Sequence, residues 1–94
     1  MSDNVYAQIN DRSKLIFKKL VESYLKTGSP AGSETIMKMG GLNLSSASIR
    51  SILSNLQKEG LLYAPHRSAG RMPTEKGMRF FVDGLLEFGR ISKI

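Results

Sequence analysis

The sequence predicts a mainly α-helical domain with a small β-hairpin: a winged helix-turn-helix with a three-helix core, a two-stranded wing and a C-terminal fourth helix. Apolar residues recur at helical spacing in four segments, and a short glycine-containing turn separates the second segment from the third. Between the third and fourth segments the pattern changes to a short extended apolar run that ends at a proline. These observations together favour the winged helix-turn-helix class.

The third segment has the clearest periodicity, and it predicts a helix with Ser45 as its N-cap and an end at residues 58–60. The apolar residues at i, i+3, i+4 and i+7 are Ile49, Ile52, Leu53 and Leu56. This stripe is expected to face a core. The other side of the helix carries small and polar residues, two cations and no acid, and it is suited to lie against DNA. An ordinary solvated helix face has a similar composition, so periodicity alone leaves both interpretations open.

The first segment predicts a helix over about residues 12 to 27, with Asp11 as its N-cap. Its apolar positions are Leu15, Ile16, Leu20, Tyr24 and Leu25. A brief second helix is expected to be capped by Ser33 and to stop at Gly40, before a turn over 41–43. Its apolar positions are Ile36, Met37 and Met39.

The last segment predicts a helix that is capped by Thr74 and packs back onto the first helix. Its stripe consists of Met78, Phe81, Val82 and Leu85. The apolar run 61–64 predicts the first strand of the wing, residues 66–70 its loop and 71–73 the return strand. Pro30 interrupts the helical pattern after the first helix, and residues 29–32 are compatible with a short edge strand.

Basic residues in the wing loop flank a run of small ones, a pattern that allows close approach to a phosphate backbone or a minor groove. The candidate wing residues are His66, Arg67, Ser68, Gly70 and Arg71. A solvated turn with chance basic residues is the alternative interpretation. The candidate recognition-helix residues are Ser45, Ser46, Ala47, Ser48, Arg50, Ser51, Ser54 and Lys58.

Composition restricts the class of partner. The 94 residues suffice for one small domain, and their formal net charge of +6 favours an acidic partner, either nucleic acid or an anionic membrane. No apolar run approaches the roughly 20 residues of a membrane span, and the N-terminus lacks a secretory signal, so a cytoplasmic location is expected. The absence of cysteine excludes disulfides and cysteine-ligated zinc.

The expected organisation is a disordered N-terminal tail over residues 1–10, a domain over 11–86 and the start of a linker over 87–94. Apolar residues continue beyond Leu85, which fits a connection to a further region as well as it fits a frayed terminus.

Catalysis finds little support in the sequence. The single histidine, His66, lies in a loop without a nearby carboxylate, so neither a metal cluster nor a nucleophile pair forms locally. The serines before Ile49 are typical of helix starts, and the glycine pair at 40–41 lacks the Lys-Ser/Thr of a phosphate-binding loop. We therefore expect no enzymatic activity, cofactor or metal.

Four segments resemble the N-terminal domain of the heat-inducible transcription repressor family HrcA. They are TGSPAGS at 27–33, LNLSSASIR at 42–50, GLLYAPH at 60–66 and SAGRMPTEKG at 68–77. They occur in the family's order with short intervals, and the resemblance covers about residues 14 to 86. Two positions depart from the family pattern: Ser51 stands where Asn is common, and Arg67 stands where many relatives carry Thr. Ser51 cannot bracket an adenine in bidentate fashion, whereas Arg67 adds a potential phosphate contact.

The resemblance implies a bacterial, nucleoid-associated repressor without enzymatic activity. Members of this family bind double-stranded DNA as homodimers, at an inverted-repeat operator called CIRCE upstream of chaperone operons. The resemblance further implies modulation by a GroEL-type chaperonin, and a dimerisation and regulatory region beyond this segment. Two other functions remain open from the residues themselves: a winged-helix module that binds protein, and a binder of structured RNA.

Overall fold

The structure, a computed structural model, describes residues 11–40, 43–67 and 69–92, with side chains described as far as residue 84. The helices are α1 (Asp11–Thr27), α2 (Ser33–Met39), α3 (Ser46–Lys58) and α4 (Glu75–Ser92). The strands β1 (Leu62–Tyr63) and β2 (Met72–Pro73) pair antiparallel, with Leu62 opposite Pro73 and Tyr63 opposite Met72. The predicted fold class and the predicted order of elements are confirmed.

The core lies between α1, α2 and α3 and is closed by the residues that lead into the wing. Its largest fully buried side chains are Ile16, Leu20, Val21, Ile36, Ile49, Leu56, Leu61 and Leu62. The predicted stripe of α3 is confirmed, because Ile49, Leu53 and Leu56 are buried and Ile52 packs partly buried against them. Burial of this stripe fixes which side of α3 faces solvent.

Two apolar positions of α1 do not belong to the core. Leu15 and Leu25 are 40% and 58% exposed, whereas Phe17 and Val21 are buried beside Ile16 and Leu20. The buried face is therefore formed by pairs at i, i+1, i+4 and i+5. This face is wide because α1 packs against α3, β2 and α4.

Helix α4 packs onto α1 as predicted, and one of its contacts involves a residue outside the predicted stripe. Phe80 stacks edge-to-face on Phe17, with ring centroids 5.4 Å apart and an interplanar angle of 71°. Val82, placed in the predicted stripe, is 46% exposed, while Met78 and Phe81 pack partly buried against the core. The side chain of Leu85 lies outside the described residues. The crossing of α4 over α1 selects Phe80, and the spacing of apolar residues along α4 does not reveal that choice.

Helix α2 begins one residue earlier than its predicted cap implied. Gly32 occupies the N-cap position without a side-chain hydrogen bond, and Ser33 is the first helical residue. Ile36 is buried, but Met37 and Met39 are 43% and 37% exposed, because a two-turn helix lying on α3 buries only one narrow side. The predicted turn after α2 falls partly on residues 41 and 42, which lie outside the described residues.

A single backbone bridge at Ala31, and not a strand, lies beside the wing where the short edge strand was expected. The N–H of Ala31 donates to the carbonyl of Arg71 over 3.0 Å, and the N–H of Arg71 donates back over 2.9 Å. Thr74 then connects the wing to α4 as predicted: its hydroxyl accepts the N–H of Gly77 at 2.9 Å and donates to the carbonyl of Gly60 at 2.6 Å. The base of the wing is thereby attached to the end of α3.

The backbone of α4 is helical as far as Ser92 and thus crosses the predicted start of the linker at residue 87. The proposed division into tail, domain and linker stays a prediction, and the tail over residues 1–10 lies outside the described residues.

Candidate nucleic-acid interface

The N-terminus of α3 is capped as the sequence predicts. The hydroxyl of Ser45 accepts the backbone N–H of Ser48 at 3.1 Å and donates to the Ser48 hydroxyl at 3.1 Å. The first turn of α3 contains no acidic residue. The positive end of the helix dipole is therefore not offset by a carboxylate within its own first turn, which favours an anion nearby.

The outer face of α3 is exposed along the helix. Because the buried stripe holds the opposite side, this face projects away from the core and presents two cations without an acid. Its exposed residues are Ala47, Ser48, Arg50, Ser51, Ser54 and Lys58, with Ser45 also exposed and Ser46 half-buried. The structure thus brings the predicted recognition-helix residues onto one end and one side of α3.

Arg50 lies exposed on this face. Among the described residues, no ion pair involves Arg50; an ion pair on α4 joins Arg79 to Glu75, with 3.3 Å between Nη2 and Oε2. The guanidinium of Arg50 is therefore not neutralised by a described carboxylate. It presents a fork of donors that matches either a guanine edge or a phosphate.

The wing residues have different environments. His66 and Arg67 are exposed, whereas Gly70 and Arg71 are half-buried. Ser68, the remaining candidate, lies outside the described residues. On the strands of the wing, Tyr63 is 44% exposed and its hydroxyl lies 3.7 Å from the sulfur of Met72. The exposed cations of the wing therefore lie in its loop, ahead of the return strand.

Arg71 connects the wing to α3. Its Nε donates to Oε1 of Gln57 over 2.7 Å, and its Nη1 donates to the carbonyl of Gly70 over 3.3 Å. These bonds use two of the five guanidinium N–H donors. The guanidinium is thus held beside the C-terminal part of α3, whereas the sequence suggested only a cation in the wing.

Two polar residues near this site were missed by the sequence analysis. Gln57 lies 14 positions before Arg71, and nothing local identifies it as the partner. Lys76 donates from Nζ to the carbonyl of Glu59 over 3.0 Å, at the C-terminus of α3 where cations are favourable. A basic residue in the first turn of α4 was the available signal for Lys76.

The part of the chain that the structure describes contains neither a membrane-spanning helix nor a candidate metal site. No described helix is long and apolar enough to cross a membrane. Within the same residues, no group of three or more His, Cys, Asp or Glu side chains could hold a metal ion.

Comparison with known proteins identifies relatives by sequence and by structure. No family model matches the chain. The chain is 53% identical over 87 residues to a heat-inducible transcription repressor HrcA of Nitrobacter winogradskyi, and 52% identical over 87 residues to the HrcA of Rhodopseudomonas palustris. Each alignment covers 93% of this chain, and the chain spans about a quarter (24%) of the length of these curated relatives.

A solved structure described as the crystal structure of a hypothetical protein at 2.2 Å resolution superposes with a TM-score of 0.84 at 34% sequence identity. That match covers 88% of this chain and 27% of the other. The helical fold with its antiparallel hairpin is a winged helix. By sequence, this chain is a homologue of the heat-inducible transcription repressors HrcA and matches their N-terminal domain.

Proposed function

We propose that this chain is the DNA-binding domain of a transcription repressor. Helix α3 enters the major groove, and the loop of the wing contacts the adjacent backbone or minor groove. The observation that carries the proposal is the exposed, acid-free outer face of α3, with Arg50 on it and the basic wing attached to the same helix through Arg71.

The dimensions of α3 suit this role. Its 13 residues make a rod of about 20 Å, and a major groove is wide enough to admit a helix. Small side chains at its N-terminal end permit close approach to DNA, and the cap leaves the first turn favourable to phosphate. Arg50 is then the residue best placed to read a base edge, while Arg67 and Arg71 of the wing supply backbone contacts.

The resemblance to HrcA extends the proposal. We infer that the target is an inverted-repeat operator of the CIRCE type upstream of chaperone operons, bound by two copies of the domain within a homodimer. Modulation by a GroEL-type chaperonin and association with the nucleoid belong to the same proposal. The relatives are named repressors, which supports indirectly the expectation that the chain has no enzymatic activity.

The proposal is tested by fluorescence anisotropy of the chain with three labelled ligands at several salt concentrations: an inverted-repeat operator duplex, a scrambled duplex and a matched RNA hairpin. An operator preference that persists as salt rises is expected, since counterion release weakens binding to all sequences alike. Equal binding to both duplexes would reduce the site to a basic surface. Preference for the hairpin would favour structured RNA, and absence of binding would favour a protein partner.

Arg50→Ala is expected to weaken operator binding by about 1 to 3 kcal/mol and to relax sequence preference, because a base contact is lost. The operator and scrambled duplexes serve as the two ligands of the measurement. Arg79→Ala is the matched control, since it removes the same charge from α4 and is expected to leave the preference intact. Equal losses on both duplexes for Arg50→Ala would contradict its role in base reading.

Arg71→Ala is expected to weaken operator and scrambled duplexes to a similar extent and to lower the slope of log affinity against log salt by about one. The physical reason is the loss of one phosphate contact, which carries no sequence information. Titrations over a range of salt measure the slope, with Arg79→Ala again as the control. A loss confined to the operator would show that Arg71 contributes to base reading.

A further inference from the structure

One hydrogen bond between the wing and α3 joins two side chains of different chemistry. Arg71 is the cationic donor, and Gln57 is a neutral amide acceptor whose oxygen lies 2.7 Å from Nε. Gln57 is exposed, so the bond forms at the surface and closes no part of the core. A hydrogen bond at the surface contributes little to the stability of the fold, but it restricts the positions that the guanidinium group can adopt.

The backbone of Arg71 is fixed independently of this bond. Its N–H and carbonyl pair with those of Ala31, and the preceding residue, Gly70, lies so close to Ala31 that a Cβ at position 70 would come within 2.7 Å of the Ala31 carbonyl carbon. The backbone position of Arg71 is thus fixed by the fold, whereas its long side chain has many rotamers. Gln57 and the Gly70 carbonyl are the described groups that restrict the conformation of the Arg71 side chain.

Gln57 also lies on the edge of α3 that carries Arg50. It follows Arg50 by seven positions, which places the two residues within about 20° of each other around the helix and about 10 Å apart along it. Both are exposed. The bond to Gln57 therefore attaches the wing arginine to the edge of α3 that carries the proposed base-reading arginine.

We propose that Gln57 is a positioning residue of the DNA interface: by accepting the Nε–H of Arg71, it holds the guanidinium so that the wing meets a phosphate while Arg50 meets a base edge. The inference rests on the proposed function and deepens it. Gln57 acts through Arg71. Its effect on binding comes from ordering the arginine before DNA arrives, which lowers the entropic penalty of binding.

The test is a double-mutant cycle of Gln57→Leu and Arg71→Ala, with affinities for operator and scrambled duplexes measured by fluorescence anisotropy. Leucine removes the acceptor while keeping comparable bulk and helix propensity. We expect Gln57→Leu alone to weaken binding to both duplexes by about 3- to 10-fold, the cost of ordering one long side chain. In the Arg71→Ala background the same substitution is expected to have no further effect.

Thermal melting separates positioning from folding, since Gln57→Leu is expected to leave the midpoint within about 3 °C of wild type. Asn55→Ala is the matched control on α3, because Asn55 is exposed and lies about 160° around the helix from Gln57. Any effect of Asn55→Ala on binding is expected to add to that of Arg71→Ala.

Four results would overturn the inference. Additive losses in the Gln57–Arg71 cycle would mean that Gln57 acts independently of Arg71. A large fall in melting temperature would assign the bond to folding. Unchanged binding by Gln57→Leu, with wild type still preferring the operator, would remove the positioning role and leave the proposed function standing. A wild-type chain without operator preference would instead contradict both the positioning role of Gln57 and the proposed function.

Discussion

Replacing Gly77 with alanine is expected to destabilise the domain by about 3 kcal/mol or more, although alanine is normally the better helix former. Gly77 is buried in the first turn of α4, and a Cβ there would overlap the carbonyl oxygen of Leu61 and come within 3.1 Å of its carbonyl carbon. The same carbonyl accepts the N–H of Thr74 over 3.0 Å, so neither backbone can move away without breaking the start of α4.

Thermal unfolding followed by circular dichroism measures this effect. A loss of about 3 kcal/mol corresponds to a fall of about 12 to 24 °C in the melting temperature of a domain of this size. Glu75→Ala, two positions earlier on the exposed side of the same helix, is the control and is expected to change stability by less than about 0.5 kcal/mol. A Gly77→Ala variant that melts at or above the wild-type temperature would contradict the close packing of α4 on Leu61.

Gly70→Ala is expected to cost about 2 to 5 kcal/mol, because two penalties act together. Gly70 has φ +90°, a conformation that strains any residue with a side chain. A Cβ there would also lie 2.7 Å from the carbonyl carbon of Ala31 and 2.9 Å from the nitrogen of Gly32, both backbone atoms. The bridge between Ala31 and Arg71 would have to open, so the base of the wing would shift.

Gly28→Ala separates the two penalties. Gly28 has a similar φ of +72°, but a Cβ there would meet nothing within 4 Å, so only the backbone strain of about 1 to 2 kcal/mol is expected. Chemical denaturation of both variants gives the comparison. Equal losses for Gly70→Ala and Gly28→Ala would show that the wing base tolerates a side chain beside Ala31. If the wing shifts as expected, operator affinity also falls for Gly70→Ala and is retained by Gly28→Ala.

Helix α3 was the most predictable part of the chain. Its cap at Ser45, its buried stripe around Leu53 and its exposed face around Arg50 all follow from the sequence and are found in the structure. All three depend on local spacing, which a helix translates directly into directions. The DNA contacts assigned to that face remain predictions.

The face of α4 was less predictable. The spacing of apolar residues placed Val82 inside and did not single out Phe80, whereas the structure exposes Val82 and stacks Phe80 on Phe17. With several apolar residues close together on α4, more than one stripe can be drawn at helical spacing. The stripe that is buried depends on the angle at which α4 crosses α1, which is a property of the packed core.

By itself, the sequence determined the order of the elements, the limits of α1, α2 and α3 to within a few residues, the basic character of α3 and the wing, and the resemblance to HrcA. Each of these is encoded in residue types and in spacings along one segment. Only the tertiary structure decided that Arg71 bonds Gln57, that Gly70 and Gly77 lie against the backbone of Ala31 and Leu61, and that Phe80 meets Phe17. These contacts join residues far apart in the chain, and their geometry exists only after the helices have packed and buried their apolar faces.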